Sequence, residues 1–356
     1  MLKPLRYSLL LIFTFVYSSY PESISQNGSV TSSSMIASQV GVEILEQGGN
    51  AIDAAIGVGF ALSVVHPGAG NIGGGGFMVI RLSDGTITTI DFREKAPLSA
   101  YRDMYLDDEG SVIPNRSWST IHAVGVPGTV AGFGYVHEKY GSLNWKDLLK
   151  PSIQLAKKGF RLDPLNVSYF NSKRYSDLLS NNQFSESQFI DKKKYNIGDL
   201  FIQSDLSKTL KRISKNGYKE FYSGKTSELI VKTFEMNNGL INHDDLKSYR
   251  PIEREPIHFR YRGYNIYSMP QPSSGGILLA EILNQIENYS FNPDNMFHSF
   301  EHIYIMAEAE KQAYADRAKY LGDPDFNSFD VKRLVTQEYA DSLWNNISLE
   351  KQIDID

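Results

Sequence analysis

Four consecutive glycines, Gly73 to Gly76, stand between an apolar helical run and a pair of strand-like segments, and this order limits what the chain can become. A dinucleotide fold runs strand, glycines, helix, so that a helix N-terminus faces the pyrophosphate. Here the order is helix, glycines, strand, and no Gly-Lys-Ser/Thr follows to make a P-loop. What remains is a backbone that must pass close to another chain segment or a ligand. The spacing predicts a hairpin after the glycines: one strand over Phe77–Leu82, an Asp-Gly turn at Ser83-Asp84-Gly85, and a return strand over Thr86–Phe92. The return strand ends on Arg93, with Glu94 and Lys95 beside it. A guanidinium at such a rim suits two parallel hydrogen bonds to a carboxylate. The residues alone leave a second option open, a surface ion pair between Arg93 and Glu94 or another acid.

Ahead of the glycines, the apolar face of Ile36, Val40 and Ile44 predicts a helix over 35–47, capped by Ser32–Ser34 and stopped by Gly48-Gly49. Asn50, with Asp53 three residues on, caps a second helix over 51–65. That helix is Ala-, Gly- and Val-rich nearly all round and should be buried on several sides. Residues 98–124 read as a surface excursion. Helices follow over 128–139, with Pro127 at its first position, and over 144–159, where Pro151 should cause a break. Residues 163–203 carry little regular pattern. Helices around 205–215 and 224–237, a hairpin of Glu255–Arg262 and Tyr264–Met269, and helices near 275–288 and 298–320 complete the chain. Hairpins flanked by paired helices, without alternating strand-helix units, place the fold in the α+β class.

Composition removes several functions. A net charge of −5, with no basic run longer than Lys192-Lys193-Lys194, argues against a nucleic-acid partner. No cysteine is present, so disulfides and thiol chemistry are absent. His298 and His302 are four apart, but His-Ser-Phe-Glu-His is not the zinc-helix pattern, and no metal is expected. Ser273-Ser274-Gly275-Gly276 reads as a loop and helix cap, with no Gly-x-Ser-x-Gly elbow. Glu308, Glu310, Asp316 and Arg317 read as an ion-paired helix. No residue combines a nucleophile with its base, so no catalytic residue is assigned.

Six stretches, in order, resemble the large-subunit motifs of the γ-glutamyltranspeptidase family: GGNAIDAA (48–55), HPGAGNIGGGGFM (66–78), DFREKAP (91–97), GVPGTVAGF (125–133), YRGYNIYSMPQPSSGGI (261–277) and AEAEKQAYADRAKYLGDPDF (307–326). The resemblance implies an N-terminal-nucleophile hydrolase, an αββα sandwich whose precursor cleaves itself into large and small subunits. The small subunit's N-terminal Thr attacks the γ-glutamyl carbonyl, with its own α-amino group as base. Glutathione is the usual donor, water or an amino acid or peptide amine the acceptor, and no cofactor is needed. By the same resemblance, Arg93 is the residue that holds the donor's α-carboxylate. No Thr here stands in the family's nucleophile context, so the expectation is a large-subunit domain over 24–356 that is truncated before the nucleophile and inactive without a small subunit. The competing expectation is a non-catalytic relic or binding scaffold that keeps Arg93 without the chemistry.

The first residues read as a signal peptide over 1–23. Lys3 and Arg6 form the positive region, Tyr7–Tyr17 the apolar core, and Val16 and Ser18 the cleavage positions. The core falls short of the ~20 apolar residues that span a bilayer. Periplasmic or extracellular export is expected, with an uncleaved membrane anchor as the alternative. N-terminal sequencing of secreted material should begin between Ser19 and Gly28; recovery solely as a cytoplasmic chain starting at Met1 would contradict export.

Overall fold

The computed structural model describes residues 24–180, 194–287, 289–290 and 299–349. The signal-like segment 1–23 and His298 lie outside the described residues. Helix α1 (Met35–Glu46) and helix α2 (Ala51–Val65) form where the pattern predicts. Gly48, at φ +89°, ends α1 and lets the Gly49 N–H donate to the Ile44 carbonyl at 3.0 Å. Ser34 is the N-terminal cap residue, yet its side chain makes no capping bond. Asn50 and Asp53 form a full capping box: the Asn50 side chain accepts from Ile52 and Asp53 N–H, and Asp53 accepts from Asn50 N–H. Asp53 also accepts from the Ser142 N–H and hydroxyl, so one buried carboxylate joins α2 to the turn after the next helix.

The glycines lead into strands β1 (Phe77–Arg81) and β2 (Ile87–Asp91), paired antiparallel with Phe77 opposite Asp91. Both are shorter than expected, and β2 ends at Asp91, before Phe92. Helix α3 (Thr129–Tyr140) is capped by Gly128, so Pro127 precedes the helix and does not open it. Helix α4 (Trp145–Lys158) runs through Pro151 without a break. An internal proline costs roughly 3 kcal/mol, and the buried stripe of Leu148, Leu149, Ile153 and Ala156 offsets it. Phe60 of α2 is fully buried and meets Phe133 of α3 and Trp145 of α4 edge-on, with ring centroids 5.2 and 5.5 Å away.

After α4 comes the two-residue strand β3 (Phe160–Arg161), and residues 163–203, expected to carry little regular structure, contain α5 (Pro164–Phe170), α6 (Lys173–Ser180) and β4 (Leu200–Phe201). Polar composition hid them, because their order comes from a tertiary cluster of Phe160, Phe170, Tyr195 and Phe201. Then come α7 (Ser204–Asn216), α8 (Glu220–Ser223), α9 (Lys225–Met236) and α10 (His243–Ser248). A short strand that the pattern does not reveal, β5 (Ile252–Arg254), pairs antiparallel with β2 and makes a three-stranded sheet, β1-β2-β5. Ile80, Ile90 and Phe92 join the core beneath that sheet with α2 and α3.

The rest of the described chain is hairpin and helices. Strands β6 (Ile257–Tyr261) and β7 (Tyr264–Ser268) turn at Arg262 and Gly263, both at positive φ, as the Arg-Gly pair predicts. They pack on α11 (Gly275–Glu287), which lies against α12 (Phe300–Tyr320) and α13 (Gln337–Trp344). Helices paired around antiparallel hairpins make this an α+β fold, as the sequence predicts.

One buried acid ties these last helices together. Glu281 of α11 is fully buried, and neither carboxylate oxygen has a hydrogen-bond donor. It faces Asp316 of α12, which accepts a 2.5 Å bond from the Tyr339 hydroxyl of α13. Two carboxylates are both acceptors, so they bond only through a proton. Burial first, and then the Asp316 charge, push Glu281 up to about 9. An unfolded glutamate titrates near 4.5. The proton-linked stability is therefore complete below that value, falls as pH rises toward 9, and is gone above it. Glu281→Gln supplies a permanent N–H donor to Asp316 and should flatten the decline in melting temperature between pH 5 and 9; parallel slopes for parent and variant would refute this.

Candidate functional site

Arg93 sits one residue past the end of the sheet ladder. Phe92 still pairs with Gly76, its N–H donating to the Gly76 carbonyl at 3.0 Å and its carbonyl accepting from Gly76 N–H at 3.2 Å. The Arg93 side chain is exposed, with its guanidinium 6.0 Å from the centre of the Phe77 ring. Among the described residues no carboxylate comes within ion-pairing distance of it, Glu94 included. A cation held at a rim without an acid is free to take an anion from solution.

The glycine run explains why this rim can exist. A Cβ on Gly75 would come within 2.6 Å of the Phe92 carbonyl oxygen, 2.7 Å of the Glu94 nitrogen and 2.8 Å of the Arg93 Cα. The Gly75 backbone therefore lies directly against the 92–94 backbone. The Gly74 carbonyl accepts from Gly128 N–H at 2.7 Å and Thr129 N–H at 3.0 Å, which fastens the N-terminus of α3 to the same run. By contrast, a Cβ on Gly73 would meet nothing within 4 Å. Gly73 borders an apolar cavity of about 420 Å³ shared with Ile72, Val124, Pro127 and Phe234.

Two further side chains reach the Arg93 backbone. Asp91 Oδ1 accepts from Arg93 N–H at 3.1 Å, and the Tyr249 hydroxyl donates to the Arg93 carbonyl at 2.8 Å. Asp91 Oδ2 accepts from Arg254 Nε at 2.9 Å, and Arg254 grips both oxygens of Asp325 at 3.2 and 3.3 Å. Burial, then the nearby Tyr222, Asp91 and Glu94, raises the Tyr249 phenol well above its ordinary value, so it stays a donor at neutral pH. Sequence reading missed these residues. Asp91 carried a local signal, since an aspartate often accepts the N–H two residues on. Tyr249 carried none, being 156 residues away in sequence.

The other candidates lie elsewhere. Ser273 and Ser274 form the turn into α11: the Ser274 carbonyl accepts from Leu278 N–H, and its hydroxyl from Arg317 Nε at 3.2 Å. Within α12, Glu308 pairs with Lys311 at 3.5 Å, while Asp316 belongs to the buried Glu281 cluster. Among the described residues, no three or more His, Asp or Glu side chains gather as a metal site, and no helix is long and apolar enough to cross a membrane.

The geometry is thus a glycine-backed rim bearing an arginine without an acid partner among the described residues. The sequence model of the family described as gamma-glutamyltranspeptidase matches residues 37–355. The chain belongs to the γ-glutamyltranspeptidase family. It is 45% identical to the glutathione hydrolase proenzyme of Escherichia coli over 92% of this chain, and spans 56% of that relative's length. The glutathione hydrolase proenzyme of Bacillus subtilis is 37% identical, with 92% and 56% covered. In three dimensions, the crystal structure of Helicobacter pylori gamma-glutamyltranspeptidase superposes with a TM-score of 0.91 at 44% identity, covering 94% of this chain and 95% of that one. The crystal structure of the Bacillus anthracis transpeptidase CapD superposes with a TM-score of 0.71 at 32% identity, covering 89% of this chain and 99% of that one. The α+β architecture is thus the γ-glutamyltranspeptidase one, of the N-terminal-nucleophile hydrolase type.

The contrast between neighbouring glycines is testable. Gly75→Ala forces backbone against backbone and should destabilise the fold by about 1–3 kcal/mol, as overpacking does. Gly73→Ala, beside open space, should change it by no more than about 0.5 kcal/mol. Denaturant melts of both variants check this; equal effects would show that Gly75 is not a close-packing position.

Proposed function

We propose that this chain is the large-subunit part of a γ-glutamyltransferase/glutathione hydrolase, and that Arg93 binds the α-carboxylate of the γ-glutamyl donor. The observation that carries the reading is the exposed Arg93 guanidinium, without an acid partner among the described residues, on a rim that Gly75 holds against the sheet. Placement within an enzyme family whose relatives are named glutathione hydrolase proenzymes supports it. So does the length relation: the chain covers 56% of one such proenzyme but 95% of one chain in the Helicobacter pylori structure.

The reaction needs a nucleophile from a partner, the small subunit with its N-terminal Thr. The Thr oxygen attacks the γ-carbonyl carbon, its proton passing to the Thr α-amino group. The C–N bond breaks, and the departing amine leaves with that proton. Water or an amino acid or peptide amine then attacks the ester and returns the Thr hydroxyl. Within this scheme Arg93 fixes the donor, and glutathione and related γ-glutamyl amides are the substrates. Features of the surface favour a partner: the outer edge of β1 is unpaired among the described residues, and Phe326, Phe300 and Tyr264 are 92%, 75% and 75% exposed. Export to the periplasm or cell exterior belongs to the same proposal.

In complex with a Thr-led small subunit, Arg93→Ala should lower kcat/KM for a γ-glutamyl anilide by about 30- to 1,000-fold, the loss of two charge-assisted bonds. Arg93→Lys keeps the charge without the fork and should recover only part of this. The large-subunit chain without its partner should turn over no anilide. Unchanged kcat/KM in Arg93→Ala would remove Arg93 from the donor site, and turnover by the unpartnered chain would remove the small subunit from the chemistry.

A further inference from the structure

We propose that Tyr249 and Asp91 are positioning residues for Arg93, gripping its backbone carbonyl and N–H so that the guanidinium points at the donor. The proposal rests on the reading of Arg93 as the α-carboxylate ligand. Its physical basis is the way the ladder ends. Asp91 is the last residue of β2, Phe92 is held by both of its bonds to Gly76, and regular pairing resumes only at Lys95, opposite Val126. The Arg93 N–H and carbonyl therefore fall between two paired segments. A buried or half-buried backbone group without a partner is costly, and one satisfied only by water leaves the peptide free to rock. Two side chains supply the missing bonds, Asp91 at 3.1 Å and Tyr249 at 2.8 Å.

Both gripping groups are themselves fixed. Tyr249 is 5% exposed, and its ring stacks on Tyr222 with centroids 5.7 Å apart and planes 13° from parallel. The Tyr222 hydroxyl donates to the Pro127 carbonyl at 2.8 Å and accepts from Ala131 N–H at 3.1 Å, so the stack is anchored on the start of α3. Gly128 leaves the room that the Tyr249 hydroxyl occupies, since a Cβ there would collide with it and with the Phe92 carbonyl. On the other side Asp91 is held by Arg254, and Arg254 by Asp325. The Arg93 peptide is thereby clamped between the α3 end of the molecule and the loop after α12. A side chain aimed from a fixed peptide loses less freedom when it binds, which favours donor binding without altering the chemical step.

Tyr249→Phe removes one hydroxyl and keeps the stacked ring. In the complex with a Thr-led small subunit, it should raise KM for a γ-glutamyl anilide about 3- to 10-fold at nearly constant kcat, the effect of one neutral hydrogen bond. The same variant should leave KM unchanged for the 4-aminobutyryl anilide, which lacks the α-carboxylate. Asp91→Asn, with Arg254 no longer paired to a full charge, should show the same selectivity. An unchanged KM for the γ-glutamyl anilide, or equal losses on both donors, would make Tyr249 a merely structural residue and overturn the proposal. Arg93→Ala measured on the same two donors separates the layers. A loss confined to the γ-glutamyl donor in Arg93→Ala, with none in Tyr249→Phe, overturns positioning alone; no loss in Arg93→Ala overturns the carboxylate assignment and positioning with it.

Discussion

The contact on which the rest depends is the approach of the Gly75 backbone to the backbone of residues 92–94, closer than any side chain would permit. It brings the segment before β1 against the segment after β2, beyond the point where the ladder alone would hold them. Once there, the Gly74 carbonyl takes the N–H groups of Gly128, the cap of α3, and of Thr129, its first residue. Sheet, rim and helix are thus fixed to one another through main-chain atoms. Asp91 and Tyr249 then hold the Arg93 backbone from either side, and among the described residues no acid comes within ion-pairing distance of its guanidinium.

Around that contact the charges are sorted by burial. Asp91 and Arg254 are largely buried and satisfy each other. Glu253, on the neighbouring strand, accepts from Thr88, Tyr135, Tyr140 and Lys139, and although partial burial opposes ionisation these bonds hold its carboxyl down to about 2. Arg93, by contrast, is exposed and without an acid partner among the described residues. The Glu281–Asp316 pair follows a different rule, since there a proton takes the part of the missing cation.

Much of this was legible in the chain. Helices α1 and α2, the hairpin around Asp84-Gly85 and the positive-φ turn at Arg262-Gly263 all form where local signals place them. Such signals are local because capping, turn conformation and helical periodicity involve residues within a few positions of each other. Pro151 misled for the opposite reason: a local penalty was outweighed by a buried stripe that packs on other helices. Strand β5 and the aromatic cluster around Phe170 were hidden likewise, because β-pairing and burial depend on distant partners.

For the candidate site, the sequence by itself showed the rim arginine and the glycines ahead of it, and the resemblance of its motifs pointed to the family. The arginine and glycines lie in one continuous stretch and the family motifs in six short ones, all readable from residue type and order. Only the tertiary structure decided that Arg93 has no acid within ion-pairing distance among the described residues, that Gly75 and not Gly73 is the close-packed position, and that Tyr249 and the Arg254-held Asp91 converge on the Arg93 backbone. Those facts are distances between segments up to 163 residues apart. No periodicity or motif encodes such a distance, because it is set by how the whole core packs.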